Sequence, residues 1–293
     1  MRIGTSQWTG YEPLFLARDR AYFDSDTARL IEYTSNTETA RAFRNGAVDA
    51  VSITLDEVVK LRRAGVDARI VLVIDVSHGA DVILARPDIG SLSGLRGRRV
   101  GFEITSLGDY MLSRALEGVN MTMGDVEVVP LEISEHERAF KEGVVDAVVT
   151  YEPVRAKLLA FGARKLFDSS QIPGEIMDVL VVHASFLGED HDQLVKVIDA
   201  WFRALDEIKK NRRGAVHAIA QRERITIAEV ETSLVGLRFP DLEENRAMLA
   251  GPAPRLIGQA ERLVEVMVKR KLVSERVDLR SSLDGTHLPG MAR

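Results

Sequence analysis

Cysteine is absent from this chain of 293 residues, and its absence removes several kinds of chemistry. Without a thiol, the protein has no disulfide framework, no thiolate metal site and no cysteine nucleophile. Histidine does not fill the gap, because none of the six stands at metal-ligand spacing from another. We therefore predict that the protein binds no metal and needs no cofactor.

Long apolar runs and known catalytic motifs are missing as well. No run of eighteen apolar residues occurs, so no transmembrane helix is predicted. The chain contains no G-x-S-x-G, H-E-x-x-H or G-x-x-x-x-G-K-[ST] motif, so we predict that it is not an enzyme and has no catalytic residue. The net charge of −5 gives no electrostatic reason to expect a nucleic acid partner.

No secretory leader precedes the first strand-like residues, which begin at Arg2 directly after Met1. The lack of cysteine fits an extracytoplasmic protein, and a natural chain seldom starts a core strand at its second residue. We therefore expect a periplasmic or lipid-anchored protein whose leader was removed. A cytoplasmic location is the alternative.

The chain does contain an internal repeat. Residues 41–51 recur as residues 138–148 with eight of eleven positions identical, at an offset of 97. The shared positions include the pairs Phe43/Phe140, Gly46/Gly143 and Asp49/Asp146. Because both copies keep them, we predict structural roles for Asp49 and Asp146 at turns or strand starts. A duplicated α/β plan predicts two lobes, with a cleft for a small molecule between them.

Strands are predicted at Arg2–Ser6, Arg29–Tyr33 and Val48–Ile53. Strands and helices alternate in both copies, which predicts βαβ units and mostly parallel sheets. From about His191 onward, the apolar residues follow helical spacing. Two chain crossings are predicted, near residues 84–87 and 180–183. In this prediction lobe I comprises residues 1–86 and 181–293, including the C-terminal helices, and lobe II comprises residues 87–180. Two crossings form a hinge on which a cleft opens and closes.

Several segments of the chain, taken in order, resemble one protein family. They are Ile3-Gly4 with Tyr11–Ala17, Gly46-x-x-Asp49-Ala50, Leu92-x-x-Leu95-x-Gly97-Arg98-Arg99-Val100-Gly101, Gly143-x-x-Asp146-Ala147 with Tyr151-Glu152-Pro153, and Leu279–Gly285. In this order they resemble the periplasmic solute-binding proteins of ABC importers. The branch they resemble is the sulfonate-, taurine- and nitrate-binding group, which is related to the NMT1/THI5-like proteins.

The resemblance implies an α/β fold of periplasmic-binding-protein type II, with two Rossmann-like lobes, a ligand cleft between them and a helical C-terminal region. It implies that a monomer captures a small organic solute by hinge closure and delivers it to the transmembrane subunits of an ABC permease. Sulfonates and similar organic acids are the first choice of ligand, and thiamine-type pyrimidines the second. The alternatives are the ligand-sensing module of a regulator and a THI5-like pyrimidine-synthesis enzyme. The lack of cysteine disfavours the enzyme.

Ligands of open α/β sheets lie beyond the carboxyl ends of the strands, which selects candidate residues without reference to the family. The residues that follow strands, together with one residue near the second crossing, make up the predicted ligand-binding set. They are Gln7, Trp8, Tyr11, Thr54, His78, Thr105, Ser106, Tyr151, Glu152 and Asp178.

Two pairs of candidates offer contrasting chemistry. Thr105 and Ser106 open a helix, where backbone N–H groups and two hydroxyls suit an anionic head group. An ordinary helix cap is the alternative for both. Trp8 and Tyr11 present flat apolar faces with polar tips, which suit a sandwiched ligand. The alternative is that one of them packs on the first helix.

The remaining candidates also have a structural alternative. Tyr151 and Glu152 stand on the second lobe, and Glu152 is also placed to cap the helix that begins near Pro153. Asp178 is able to accept a hydrogen bond from an amine or ring N–H of a ligand, or else lies in a solvated loop. A lone histidine such as His78 is more often structural than ligand-binding.

Overall fold

The computed structural model describes residues 1–103, 106–189 and 191–291 of the chain. The chain forms two compact units: unit 1 comprises Met1–Val76, Met177–Val230 and Arg238–Arg293, and unit 2 comprises Ser77–Ile176 and Glu231–Leu237. The chain passes between the units after Val76 and after Ile176. The sequence predicted these passages after residues 86 and 180. The short return of the chain to unit 2 was not predicted, because residues 231–237 continue the helical pattern that surrounds them.

The two units contain the strands β1 (Arg2–Ser6), β2 (Arg29–Tyr33), β3 (Ala50–Thr54), β4 (Ala68–Ser77), β5 (Val82–Ala85), β6 (Arg99–Phe102), β7 (Glu127–Pro130), β8 (Ala147–Thr150), β9 (Arg164–Asp168), β10 (Met177–His183) and β11 (Leu237–Arg238). The helices are α1 (Glu12–Asp19), α2 (Asn36–Arg44), α3 (Leu55–Arg63), α4 (Ser106–Glu117), α5 (Ile133–Lys141), α6 (Val154–Ala160), α7 (Phe186–Glu189), α8 (His191–Lys210), α9 (Arg212–Glu223), α10 (Ile227–Val235), α11 (Leu242–Leu249) and α12 (Arg255–Lys269). Within the described ranges, no helix combines the length and the apolar character needed to cross a membrane.

Each unit is built on a mixed β-sheet. The sheet of unit 1 has the order β11-β4-β10-β3-β1-β2, and β10 runs antiparallel to both β3 and β4. The sheet of unit 2 has the order β7-β6-β8-β5-β9, and β5 runs antiparallel to both β8 and β9. Each sheet therefore carries an antiparallel strand in its interior, which the expectation of mostly parallel sheets left out. A strand covered on both faces is an apolar run whichever way it points, so the sequence does not reveal its direction.

The sequence repeat has a structural counterpart. The order β2-β1-β3-β10-β4 in unit 1 matches the order β7-β6-β8-β5-β9 in unit 2. The offset of 97 carries Arg2, the first residue of β1, onto Arg99, the first residue of β6. It also carries Ala50 at the start of β3 onto Ala147 at the start of β8. The two sheets therefore share one plan, and corresponding strand ends can be compared.

Asp49 and Asp146 hold equivalent places in the two sheets. Asp49 accepts hydrogen bonds from the guanidinium of Arg2 at 2.6 Å and from its backbone N–H at 2.7 Å. Asp146 accepts the same two hydrogen bonds from Arg99, at 2.9 and 3.0 Å. Burial opposes ionisation of both carboxyls, but the arginine hydrogen bonds outweigh it and lower both pKa values. Each aspartate thus joins the starts of two neighbouring strands, which is the structural role predicted for it.

The later helices cover the sheet of unit 1. α8 packs on α1 and buries Trp201 completely. α11 is fixed to β4 by the buried amide of Asn245, whose Oδ1 accepts from the backbone N–H of Val73 at 2.7 Å. Its Nδ2 donates back to the carbonyl of Val73 at 3.2 Å. These contacts hold β4 in place in the sheet.

Candidate ligand-binding site

The strand ends of unit 1 bring three polar residues into one row. β10 runs antiparallel, so Asp178, its second residue, lies directly opposite Thr54, the last residue of β3. On its other side Asp178 lies opposite Asp75, near the end of β4. Residues directly opposite each other project to the same face of a sheet. Thr54, Asp178 and Asp75 therefore lie side by side on the neighbouring strands β3, β10 and β4, at the end of the sheet where β3 and β4 finish.

Both carboxylates of this row are buried and hydrogen-bonded. Asp75 is 0% exposed, and its Oδ2 accepts a hydrogen bond from the indole Nε1 of Trp8 at 3.0 Å. Asp178 is 2% exposed, and its Oδ1 accepts a hydrogen bond from the hydroxyl of Tyr11. A buried carboxylate is costly without such donors. The loop after β1 therefore provides the donors that hold the acidic row in position.

The conformation of that loop depends on Gly10. A β-carbon at Gly10 would overlap both Asp75 Oδ2 and Trp8 Nε1, so a side chain there would separate the two hydrogen-bonding groups. The loop leads directly into α1, where Pro13 occupies the first turn and gives up no backbone hydrogen bond. Only glycine at this position lets the indole approach the carboxylate.

A second polar contact extends the row towards α2. Asn36, the first residue of α2, accepts a hydrogen bond from the hydroxyl of Ser6 at 3.1 Å. Its Oδ1 also lies 3.4 Å from the hydroxyl oxygen of Tyr11. α2 begins here because Ser35 caps it, accepting a hydrogen bond from the backbone N–H of Glu38 at 3.2 Å. Through Tyr11, the end of β1, the start of α2 and Asp178 of β10 thus share one polar network.

Thr54 differs from its neighbours in the row. It is 3% exposed and stands at the cap position of α3, but its hydroxyl makes no cap hydrogen bond. In the described part of the chain its Oγ1 has no hydrogen-bond partner at all. A buried polar atom left unbonded costs about 1–3 kcal/mol. A ligand hydrogen bond at this edge would remove that cost.

The other predicted residues of unit 1 lie around this row. Gln7 has an exposed side chain between β1 and the Trp8 loop. Trp8 is 8% exposed and Tyr11 is 0% exposed. Both aromatic side chains are thus buried and joined to carboxylates through their polar tips. The structure therefore brings together Trp8, Tyr11, Thr54 and Asp178, with Gln7 beside them.

Five predicted residues belong to unit 2, and one of them, Glu152, has a clear structural role. Glu152 is 3% exposed, and its two oxygens accept hydrogen bonds from the backbone N–H of Ala156 at 3.0 Å and from Arg155 at 3.1 Å. This is the helix-capping alternative considered for it. Tyr151 is half-buried just after β8. His78 is exposed, and its backbone N–H donates to the carbonyl of Gly236 at 2.8 Å.

The predicted anion site falls largely outside the described residues. Thr105 lies outside them, and so does the side chain of Ser106, although Ser106 is the first residue of α4. The proposal that these two residues hold an anionic group therefore stays a prediction.

Sequence reasoning missed Asp75, Asn36 and Gly10. Asp75 had a detectable signal, because it is the one charged residue in the apolar run 70–76. Acidic residues are rarely buried unless they are paired or functional. Asn36 and Gly10 had no comparable signal, since an asparagine at a helix start and a glycine in a turn are both common.

A buried acidic cluster adjoins the row. Glu12 follows Tyr11 in the chain, is 1% exposed and accepts a hydrogen bond from Nε of Arg222 at 2.7 Å. Arg222 also bonds Glu32 at 3.0 Å. Burial, and then the negative charge of Glu12, raises the pKa of Glu223 to about 8. The pair formed by Glu12 and Glu223, both with raised pKa values, therefore holds a proton at neutral pH, next to the loop that carries Trp8.

The chain is similar to known proteins in both sequence and structure. A family model described as the NMT1-like family matches residues 1–222. The chain is 21% identical over 278 residues to a taurine-binding periplasmic protein of Escherichia coli (strain K12), a match that covers 88% of this chain and 84% of that protein. It is similar in structure to the periplasmic aliphatic sulphonate binding protein SsuA from Escherichia coli, with a TM-score of 0.82 and 19% identity over 97% of this chain and 91% of that one.

The same fold also carries an enzyme. The desulfurization enzyme DSZB is similar with a TM-score of 0.70 and 17% identity over 98% of this chain and 97% of that one. The predicted fold class, a periplasmic-binding-protein fold, is confirmed by these likenesses. A fold shared by binding proteins and an enzyme does not assign an activity, which has to be argued from the site.

Proposed function

The chain belongs to the NMT1-like family, and we propose that it is the solute-binding component of an ABC importer. It captures a small organic solute outside the cytoplasm and delivers it to the transmembrane subunits of the importer. The names of its relatives, a taurine-binding periplasmic protein and a sulphonate binding protein, support this role. The observation that carries it is Thr54, a buried hydroxyl without a partner in the described chain, beside the carboxylate of Asp178.

Thr54 and Asp178 favour a ligand that carries an N–H group at the end they contact. A carboxylate accepts hydrogen bonds, so Asp178 suits an amine or ring N–H. The hydroxyl of Thr54 is able to donate or accept and so adapts to the neighbouring ligand atom. We propose that this end of the ligand contacts Thr54 and Asp178, while Trp8 and Tyr11 hold the carboxylates in position.

The other end of the ligand is proposed to be anionic and to bind at the start of α4. α4 is a helix of twelve residues, and the dipole at a helix N-terminus favours a negatively charged group. A sulfonate or another organic acid that also carries an N–H group satisfies both ends and stays the first choice. A thiamine-type pyrimidine, which has ring and amino nitrogens, is the second.

Hinge closure is the proposed mechanism. A ligand that makes more contacts in the closed state binds that state more tightly than the open one. The ratio of the two affinities sets how far the population shifts to the closed state. The chain passages after Val76 and after Ile176 are the proposed hinge segments. Small-angle scattering with and without a bound ligand tests this step, and an unchanged radius of gyration with a bound ligand would exclude it.

An enzymatic role is the second candidate, because the desulfurization enzyme DSZB shares the fold. We propose that the present chain is not an enzyme, since it has no cysteine to act as nucleophile and no catalytic motif. Mass spectrometry of a bound ligand after long incubation separates the two roles. Recovery of the intact ligand agrees with binding, and a cleaved product would establish catalysis.

A thermal-shift screen of the whole chain tests the proposed function. The panel holds sulfonates, aromatic carboxylates, pyrimidines and amines. A ligand present at about a hundred times its Kd stabilises the folded state by about 2.7 kcal/mol, which raises the melting temperature by several degrees. A shift with a sulfonate or a pyrimidine is expected, and no shift with any member of the panel would contradict the proposal.

A further inference from the structure

A cavity of about 390 Å³ lies between α11 and α12 in unit 1. We call it the basic groove and define it by five of its lining residues, which are Arg238, Glu244, Arg255, Gln259 and Arg262. None of them belongs to the acidic row. Ligand pockets in proteins range from about 300 to 1,000 Å³, so the groove is large enough for a small molecule.

Positive charge in the basic groove exceeds negative charge. Arg238 forms an ion pair with Glu244 at 2.6 Å. Arg255 and Arg262 have exposed side chains, and among the described residues neither forms an ion pair or a hydrogen bond. The two lie seven residues apart on α12, which is about two helical turns and about 10 Å along one face. Two guanidinium groups without a partner therefore line the same cavity, on a protein whose net charge is −5.

The acidic residues of α12 are engaged elsewhere. Glu261 pairs with Arg280 at 2.7 Å, and Glu265 pairs with Arg276 at 4.0 Å. Neither glutamate is among the residues that line the groove.

Two more features of the groove have no role inside the protein. Gly258 lies in the interior of α12, where glycine costs about 1 kcal/mol relative to alanine. A β-carbon there would meet no atom within 4 Å, so nothing in the chain requires a glycine. Beside it, the buried Oε1 of Gln259 has no hydrogen-bond partner in the described residues. Because Gly258 has no side chain, a ligand is able to approach the helix backbone there and the amide oxygen of Gln259 beside it.

We propose that the basic groove binds a small multivalent anion, with two or more carboxylate or phosphate groups, at a site separate from the solute site. Guanidinium groups bind such oxyanions through paired N–H donors, and Arg255 and Arg262 both supply them. The amide of Gln259 adds a neutral hydrogen bond. This proposal does not depend on the proposed function, because none of its residues contacts the acidic row.

Isothermal titration of the whole chain with citrate and with pyrophosphate tests the proposal. The wild-type protein is expected to bind at least one of them with a Kd below about 1 mM. The double substitution Arg255→Gln with Arg262→Gln is expected to weaken binding at least about tenfold, which is 1.4 kcal/mol. The matched control is Arg276→Gln with Arg280→Gln, which removes the same charge from two arginines that do not line the groove and is expected to leave the Kd within about twofold.

Three results would overturn the proposal. The first is no binding of either anion by the wild-type protein up to about 10 mM. The second is an equal loss of affinity in the control, which would show a general effect of net charge. The third is binding to vesicles that contain phosphatidylglycerol without binding to either soluble anion, which would make the groove a lipid contact. Circular dichroism of each variant confirms that the fold is intact.

Discussion

The indole Nε1 of Trp8 lies 3.0 Å from Oδ2 of Asp75, so the side chain that the sequence offers as a stacking surface donates a hydrogen bond to a buried carboxylate. The two residues are 67 positions apart in the chain and meet because the loop after β1 reaches the end of β4. Trp8 is 8% exposed, which leaves little of its ring for a ligand. We therefore expect Trp8 to act on a ligand chiefly through Asp75.

A double-mutant cycle measures this contact. Trp8→Phe keeps an aromatic ring but removes the donor, and Asp75→Ala removes the acceptor. The hydrogen bond joins two buried groups, so a coupling energy of about 0.5–3 kcal/mol is expected in urea denaturation. A coupling energy near zero would show that the contact does not stabilise the fold.

Gly10→Ala is expected to destabilise the protein. The added methyl group overlaps Trp8 and Asp75, and overpacking of this kind costs about 1–3 kcal/mol. Gly258→Ala is the control, because its methyl group meets no atom and alanine is the better helix former by about 1 kcal/mol. Chemical denaturation should give opposite signs for the two substitutions, and equal effects would contradict the described geometry of the loop.

Glu223 predicts a pH dependence of stability. Its pKa is about 8 in the folded chain against 4.5 for an ordinary glutamate. Between these pH values the folded chain holds a proton that the unfolded chain has released, so the free energy of unfolding falls as the pH rises. The contribution is complete below about pH 4.5 and is lost above about pH 8.

Glu223→Gln removes that titration. At about pH 9 the variant is expected to be more stable than the wild type by about 1–3 kcal/mol, and at about pH 4 the two should be similar. Urea denaturation across this range gives the measurement. The exposed Glu142, changed to Gln, serves as the control. Parallel pH profiles for wild type and Glu223→Gln would show that Glu223 is ionised in the folded protein.

The bounds of the first strands were predictable from the sequence, because neighbouring residues determine where a strand begins and ends. β1 and β2 have the predicted bounds, Arg2–Ser6 and Arg29–Tyr33, because turn and helix-cap residues follow both strands in the sequence. β3 begins at Ala50, although the prediction began it at Val48. The difference has a local cause, because Asp49 turns its carboxylate to Arg2 before the strand starts.

The candidate site was only partly predictable, because its key contacts join distant parts of the chain. Tyr11 and Asp178 are separated by 167 residues and meet only because β10 lies between β3 and β4. Periodicity gives no strand order, so Asp75 could not be placed beside Asp178. Thr54 and Asp178 were selected from their positions near strand ends, and the antiparallel pairing explains why the two lie together.

Tyr11→Phe is expected to weaken ligand binding. The substitution removes the hydroxyl that donates to Asp178, and the carboxylate is then free to turn away from the position a ligand requires. Affinity is expected to fall about three- to thirtyfold, equivalent to about 0.7–2 kcal/mol. Tyr22→Phe is the matched control, because its hydroxyl donates to Glu207 at 2.8 Å, away from the row. An equal effect of both substitutions would remove Tyr11 from the site.

The most direct measurement of the central claim compares two buried hydroxyls of β3. Thr54 at the end of the strand and Ser52 two residues further in both have hydroxyls without partners among the described residues, and both side chains are buried. Isothermal titration with the ligand that gives the largest thermal shift should find binding about tenfold weaker in Thr54→Val and unchanged in Ser52→Ala. If Thr54→Val binds as tightly as the wild type, the row formed by Thr54, Asp178 and Asp75 is not the solute site.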